Sequence, residues 1–424
     1  MNIDIKSAEN KLINVFNNID DVCFYNSQKV IKAFWQANIS ETDFNSTTGY
    51  GYGDVGRDKI EKVYSDIFET EAALVRNQFI SGTHALSTAF FALLRPGDLL
   101  LSITGKPYDT LDSIIGFNDN QSSLKSFGIR YDQIDLKNNC FDYEAISKYL
   151  KLNKVKVIEI QRSIGYSTRS SIGIEDIDEV IRLVKGIDKD IIVMVDNCYC
   201  EFVGKLEPTQ VGADICVGSL IKNLGGGIAS NGAYIVGKKD LINLCSERLN
   251  VAGEASDVGP SLGANKMFLQ GLYMAPSVVA NALKTSVLAA YLLEEMGYSV
   301  NPRWNDERND IVLAIKFNDK EKLIKFVEGI QSGSAVDANV LPVASSMPGY
   351  DDEIIMASGS FTQGSSIEIS CDGPLRKPYI AYLQGGLTYE YGKIALIKAL
   401  EKINSVIPNN KIGNLINKLN TAKD

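Results

Sequence analysis

Between residues 73 and 236, short apolar runs alternate with stretches of helical period. The runs Ala73–Arg76, Leu99–Ile103, Ile129–Ile134, Val155–Gln161, Asp190–Val195, Asp214–Ser219 and Gly232–Val236 predict strands. Most are continuous rather than alternating, the pattern of strands buried on both faces. Helices are predicted between them at His84–Leu93, Thr110–Gly116, Tyr143–Leu152, Ile174–Gly186 and Lys239–Leu249. Such alternation predicts an α/β fold with a mostly parallel sheet covered on both sides. Ligands of these sheets bind beyond the carboxyl ends of the strands.

The flanks read differently. Helical patterns at Ala8–Ile19 and Gln28–Ala37 precede TTGYGYGDVGRD (Thr47–Asp58), which is too polar and glycine-rich to be anything but a loop. A helix follows over Asp58–Phe68. A long helix over Ser277–Met296 leads into a smaller α+β unit. Strands near Asp310–Ile315 and Ser366–Ser370 there flank a helix at Lys320–Ile330, and a terminal helix spans Tyr391–Val406. The expected division is an N-terminal arm and loop over 1–57, a large domain over 58–276, and a linker helix with a small domain over 277–424. The tail after Pro408 is polar and expected to pack poorly.

Composition narrows the functions. Of 424 residues, 43 are Lys or Arg and 52 are Asp or Glu, a net charge of −9. That balance argues against a nucleic-acid or anionic-membrane partner, which needs a basic footprint. No run of 18 or more uncharged apolar residues predicts a membrane helix. The polar start lacks a signal-peptide core. The seven cysteines are scattered, and Cys198-x-Cys200 lacks the second pair of a zinc site. Reduced thiols and a cytoplasmic location are expected. The single histidine, His84, excludes multi-histidine metal sites and chemistry needing two imidazoles. No metal is expected.

Four clusters carry candidate chemistry. In DICVGSLIKNLGGG (Asp214–Gly227), Lys222 lies just beyond a strand that ends at Ser219. A single lysine there is more often a surface residue. Beside Leu220, Ile221 and Leu224 it could be desolvated, which lowers its pKa and makes the amine nucleophilic. The three following glycines would let backbone approach a flat ligand. An imine with an aldehyde cofactor requires such a lysine. In IIVMVDNCYCEF (Ile191–Phe202), five apolar residues run into Asp196, and a carboxylate at the end of a buried strand needs a partner. A protonated pyridine nitrogen is one, keeping pyridoxal phosphate an electron sink. A turn cap or a magnesium ligand is the alternative. In QFISGTHALSTAFFALL (Gln78–Leu94), Gly82-Thr83 lies where a helix begins, a setting that suits a phosphate. Ser81 could equally be only an N-cap. His84 either lies under a cofactor ring or is a partly buried structural histidine. In TGKPYDTL (Thr104–Leu111), Tyr108 could stack on a cofactor ring and use its hydroxyl in proton transfer, or be a half-buried loop tyrosine. Lysine, aspartate, phosphate loop and stacking ring all fall at carboxyl ends of strands in one sheet.

With these motifs the chain resembles pyridoxal-phosphate enzymes of the aspartate-aminotransferase fold, fold type I. It is similar to their cysteine/methionine branch, which includes methionine γ-lyase and cystathionine β-lyase. Above all it resembles the methionine γ-lyase-like proteins called the aluminium resistance protein family. The matching strings are TTGYGYGDVGRDKIE, SGTHA, QRSIGYSTR, VDNCYCEF, GADICVGSLIKNLGGG and SCDGPLRKPYIAYLQGGLTYEYGK, from about residue 45 to 400.

The resemblance implies that Lys222 binds pyridoxal phosphate covalently and moves the substrate α-proton. Asp196 would pair with the ring nitrogen, with Asn197 close by. Gly82, Thr83 and Ser219 would hold the phosphate, with His84 beside the cofactor. Tyr108 matches the stacking tyrosine and would assist acid–base steps. Tyr52 and Arg57 would reach the phosphate of a neighbouring subunit, which makes 1–57 an inter-subunit arm and implies a homodimer or homotetramer. Tyr50 is the alternative to Tyr52. Arg376 would bind the substrate carboxylate bidentately, with Arg162 and Arg303 as alternatives. The implied activity is β- or γ-elimination from a sulfur-containing amino acid. Departures from the better-known lyases leave substrate and outcome open: Ser219 stands three residues before the lysine rather than two, N-L-G-G-G follows it, and His84 replaces a small or apolar residue. Transamination, aldol-type cleavage and a non-catalytic relative are the other readings. A nucleotide-binding protein is a further one, weakened by the glycines following the lysine rather than preceding it.

Overall fold

A computed structural model describes residues 5–404 apart from 348, 349 and 351. The polar tail after Pro408 and the last two residues expected in the terminal helix lie outside the described residues. The chain forms two compact units. One holds residues 24–277 and 350; the other holds 5–23, 278–347 and 352–404.

In chain order the first stretch comprises helix α1 (Ile5–Gln36), helix α2 (Val55–Phe68), strand β1 (Ala72–Arg76), helix α3 (Gly82–Leu93), strand β2 (Leu99–Ser102) and a single helical turn, α4 (Asp112–Ile115). Then follow β3 (Arg130–Gln133), α5 (Tyr143–Leu152), β4 (Val157–Gln161), α6 (Ile174–Ile187), β5 (Ile192–Asp196), β6 (Ile215–Ser219), β7 (Ala233–Gly237), α7 (Lys239–Leu249) and α8 (Ala264–Glu295). The strands form one seven-stranded sheet in the order β1-β7-β6-β5-β4-β2-β3. Every neighbour from β6 to β3 is parallel, and only β7 runs against its partners. Apolar residues pack on both faces. Val157, Met194, Ile215 and Val217 join residues of α3 and α7 in one cluster; Ile158, Ile160, Val193 and Val195 join residues of α6 in another. Continuous apolar strands are the sequence signature of that two-sided burial. Helix α6 shows the matching logic: Ile177, Val180, Ile181 and Val184 form its buried stripe, with acids in its first turn and Lys185 in its last.

The second unit adds β8 (Ser299–Asn301), β9 (Leu313–Lys316), α9 (Lys320–Ser332), β10 (Ile354–Ala357), β11 (Ser370–Pro374), β12 (Ile380–Gln384) and α10 (Tyr389–Asn404). Its sheet is antiparallel throughout, in the order β10-β11-β12-β9-β8. Leu323, Phe326, Leu396 and Ala399 pack against it, joined by Ala8, Leu12 and Phe16 of α1 and by residues 287–293 of α8.

Several expectations need correction. The two N-terminal helices are one helix of 32 residues. The stretch between the two patterns holds no Gly or Pro to stop a helix, and Asn26 is buried, donating to the carbonyls of Phe202 (3.1 Å) and Gly204 (3.0 Å). The stretch 1–57 expected as an arm is divided, residues 5–23 belonging to the second unit. The strand expected at Ser366–Ser370 begins only at Ser370. The carboxylate of Glu368 accepts from the amides of Phe361 (2.7 Å) and Thr362 (2.9 Å), so that segment ties down a loop instead. Helix α8 is long and apolar enough to cross a membrane by length and composition, yet 83% of its most apolar window is buried inside the protein. All seven cysteines are free thiols.

Candidate active site

Strand β6 ends at Ser219, whose buried hydroxyl has no hydrogen-bond partner. Helix α3 starts against it. A Cβ at Gly82 would lie 3.1 Å from the Ser219 Cβ and 3.4 Å from the Cys198 Sγ, so the glycine lets the helix start close against β6 without pushing on Ser219. Ser81 is the N-cap, accepting from the His84 amide at 3.1 Å. The first helical amides, those of Gly82 and Thr83, have no acceptor within the helix. The Thr83 hydroxyl lies 3.0 Å from that of Thr110. Helix N-terminus, free amides and an unpartnered hydroxyl make a cradle suited to a phosphate. Ser81 and Gly82 therefore serve the cap and the cradle together.

Asp196 ends β5, in register with Gln161 of β4 and Val217 of β6. Its Oδ1 accepts from the Cys198 amide at 3.1 Å. Burial raises its pKa, and the positive charge of Lys222 opposes the rise. The Lys222 Nζ sits 3.9 Å from the centre of the Tyr199 ring. Burial pulls the lysine's pKa down, but Cys198, Tyr199, Asp196 and Glu201 together push it well above the ordinary value. The expected lowering is therefore corrected. The lysine has apolar sequence neighbours, but in space Cys198, Tyr199, Asp196 and Glu201 favour its charged form.

The glycine run is also corrected. A Cβ at Gly225 would lie 1.6 Å from the Leu220 carbonyl oxygen, and one at Gly226 would lie 2.3 Å from the Gly271 carbonyl oxygen in α8. Gly225 and Gly226 let the loop press on its own backbone and on a helix.

The remaining candidates are dispersed. Asn197 is fully buried and committed to structure: its amide donates to Glu207 at 2.8 Å and its oxygen accepts from Arg162 at 3.0 Å. Arg162, an alternative for the substrate carboxylate, is thereby buried in a network that also reaches the Ile172 carbonyl. Arg57, expected to reach a neighbouring subunit, is buried in its own chain. It donates to the carbonyls of Gly51 (2.9 Å) and Gly259 (3.0 Å) and pairs with Asp58. Tyr52 is exposed and stacked on Tyr50, ring centres 5.5 Å apart. His84 makes local contacts: its Nδ1 accepts from the Ile80 amide at 3.2 Å, its ring meets Phe79 edge-on, and burial lowers its pKa. Tyr108 joins an aromatic cluster, its hydroxyl 2.6 Å from that of Tyr350 and its ring edge-on to Tyr166. Arg376 and Arg303 lie in the second unit, paired with Asp352 (2.8 Å) and Glu294 (2.6 Å).

Two buried acids were missed. Glu159 of β4 is raised to about 8, first by burial and then by Asp196, against the hydrogen bond from Ser102. Glu201 is likewise raised to about 8 by burial; its Oε1 accepts from the Tyr234 hydroxyl at 2.9 Å and its Oε2 has no partner. Glu159 was visible as the one acid inside the apolar run Val155–Gln161. Tyr199 and Tyr350 carried no local signal. Among the described residues no group of three or more His, Cys, Asp and Glu is arranged to hold a metal.

The sequence profile of the methionine gamma-lyase family matches residues 1–404. This chain belongs to that family. The protein YnbB of Bacillus subtilis (strain 168) is 48% identical over 399 residues, 93% of this chain and 94% of YnbB. The structure of a carbon-sulfur lyase involved in aluminum resistance from Clostridium novyi NT is 48% identical with a TM-score of 0.90, covering 94% of each chain. The pyridoxal-5'-phosphate dependent protein YhfS of Escherichia coli shares the fold at 18% identity, with a TM-score of 0.62, over 92% of this chain and 97% of YhfS. The fold is that of the fold type I pyridoxal-phosphate enzymes, as the sequence motifs implied. Family membership gives the cradle, Asp196 and Lys222 a shared context at the ends of adjacent strands.

Proposed function

We propose that this protein is a pyridoxal-phosphate-dependent carbon–sulfur lyase that acts on a sulfur-containing amino acid by β- or γ-elimination. One observation carries the reading: the Gly82–Ser219 cradle, the Asp196 carboxyl and the Lys222 amine converge on the carboxyl ends of β5 and β6. The buried, unpartnered Ser219 hydroxyl and the tight Gly82 contact fit a phosphate. Asp196 fits a pyridine nitrogen, and Lys222 fits an aldehyde. Bound there, the cofactor would act as the electron sink for an α-carbanion. The chain's own residues would do the rest. Gly82, Thr83 and Ser219 would anchor the phosphate. Asp196 would keep a proton on the ring nitrogen. Lys222, once it has shed its proton, would take the substrate α-proton and return it. Tyr108 would donate or accept a proton at the leaving group through its hydroxyl, which lies 2.6 Å from that of Tyr350. The exposed Tyr50–Tyr52 stack supports a homo-oligomer in which this loop completes a neighbouring site, and seven free thiols suit a reducing cytoplasm.

The test is an absorbance spectrum of the purified protein before and after borohydride, followed by peptide mapping. A yellow band trapped on Lys222 and lost in Lys222→Ala supports the cofactor assignment. A colourless protein that takes up no added pyridoxal phosphate sinks it. A keto acid, ammonia and a thiol as products then mark the lyase; amino-group exchange marks a transaminase.

A further inference from the structure

Lys222 is held in an unusual way. Its Nζ has no hydrogen-bond acceptor or ion-pair partner among the described residues, although Asp196 and Glu201 both act on it electrostatically. What it touches is the face of Tyr199, 3.9 Å from the ring centre. The other ammonium–ring contacts among the described residues lie at 4.9 Å or beyond. A cation within about 6 Å of a ring face is attracted by the ring quadrupole, more strongly where water is excluded.

The backbone tells the same story. Tyr199 has φ +72°, in the left-handed region that suits glycine or asparagine and is an outlier for a bulky residue. Its turn is pinned on both sides. The Asn197 amide donates to the Val217 carbonyl at 2.9 Å, and the Cys200 amide donates to the Asn197 carbonyl at 3.0 Å. The side chain of Asn223, next to the lysine, donates to the Glu201 carbonyl at 2.9 Å. The turn that carries the ring and the loop that carries the lysine are thus fastened together. The strain is retained at the one position whose side chain meets the amine.

We propose that Tyr199 is a positioning residue for Lys222, its ring face a seat that holds the ammonium at the site without committing it to an ion pair. An ion pair with Asp196 would tie up both groups that the chemistry needs free. The seat keeps the amine close to the aspartate and available each time it is released. This inference rests on the proposed role of Lys222, but its test does not require the cofactor.

The experiment is competitive labelling of lysines with acetic anhydride in the full-length protein stripped of bound aldehyde. Lys222 is quantified by mass spectrometry across pH, with surface lysines as internal standards. Losing the ring removes a stabiliser of the charged form, so the free amine becomes more abundant. Tyr199→Leu should label about threefold to tenfold faster at mildly alkaline pH, equivalent to about 0.7–1.4 kcal/mol. Tyr199→Phe keeps the ring face and should match the wild type. Tyr199→Asn accepts the left-handed backbone, so it folds readily, and it should behave like the leucine variant. Unchanged labelling in the leucine and asparagine variants overturns the proposal. So does a phenylalanine variant that behaves like leucine, because the hydroxyl would then be the holder. Failure of pyridoxal phosphate to bind the wild type is a separate result, read from absorbance, and bears on the enzyme assignment alone.

Discussion

Glu159→Gln is the perturbation whose outcome the structure specifies most fully. Glu159 lies in register with Ser102 of β2 and Met194 of β5, fully buried. The Ser102 hydroxyl lies 2.7 Å from the Gly105 carbonyl oxygen and 2.8 Å from the Glu159 Oε2. Burial raises the Glu159 pKa from the ordinary 4.5 to about 8, against the hydrogen bond that the Ser102 hydroxyl donates to it. The folded chain then binds more protons than the unfolded chain between those values, and stability falls as pH rises through that window. The difference of 3.5 corresponds to a loss on the order of 5 kcal/mol once the acid is fully ionised. In Glu159→Gln the amide oxygen keeps an acceptor for the Ser102 hydroxyl and nothing ionises, so this loss disappears. Urea unfolding of both proteins at pH 5 and pH 9, followed by circular dichroism, measures it. The readout is the difference between the two proteins, because Glu201 drifts the same way in both. The variant should be nearly equal in stability to wild type at pH 5 and clearly the more stable at pH 9. Parallel profiles would refute the neutral acid.

Ser219→Ala should leave stability unchanged within about 1 kcal/mol, since the hydroxyl has no partner to lose, yet weaken pyridoxal-phosphate binding about tenfold in an equilibrium titration. Gly271→Ala places a methyl 2.3 Å from the Gly225 carbonyl oxygen and should destabilise by roughly 1–3 kcal/mol in thermal unfolding. Asp54 caps α2, accepting from the Arg57 amide (3.0 Å) and from Thr47 (2.5 Å) and Asn265 (3.0 Å). Although burial opposes it, hydrogen bonds led by those from Ser261 and Thr47 hold its pKa below the usual carboxylate range. Its contribution is fully present above the ordinary pKa and is lost progressively as pH falls from there through the lowered folded-state pKa. Asp54→Ala should cost roughly 2 kcal/mol at pH 7, retain most of that cost at pH 3 and lose it only in stronger acid, by urea unfolding.

The large unit was legible because its strands are buried on both faces. A continuous apolar run such as Ile192–Val195 has one sensible place in a sheet, and the observed strands of that sheet fall within two residues of the expected ones. The antiparallel sheet of the second unit was less legible. Its strands are short, and β8, β10 and β12 went unnoticed although Ile380–Leu383 is a clear apolar run. In Ser366–Ser370 an alternating pattern suggested a strand, while Glu368 was already committed to loop amides. Pattern reports which faces are buried, not which backbone groups are already paired.

The site divides along the same line. Lys222, Asp196 and Gly82 were legible because each breaks a local rule: a charge or a helix-breaking glycine at the edge of an apolar element demands a reason. What sequence could not supply was the charge state. Lys222 has apolar neighbours along the chain, so the expectation was a lowered pKa; in space Cys198, Tyr199, Asp196 and Glu201 favour the charged amine, and the sign reverses. Glu159 and Asp196 illustrate the other half. Two acids on adjacent strands of one sheet cannot both be charged cheaply, and burial resolves the conflict by raising Glu159 to about 8 although the Ser102 hydroxyl donates to it. That leaves Asp196 free to carry the negative charge in this part of the sheet. A pyridine nitrogen placed there would then meet a single anion, which is the condition for keeping its proton. The chemistry assigned to Asp196 thus depends on a buried glutamate that no motif contains.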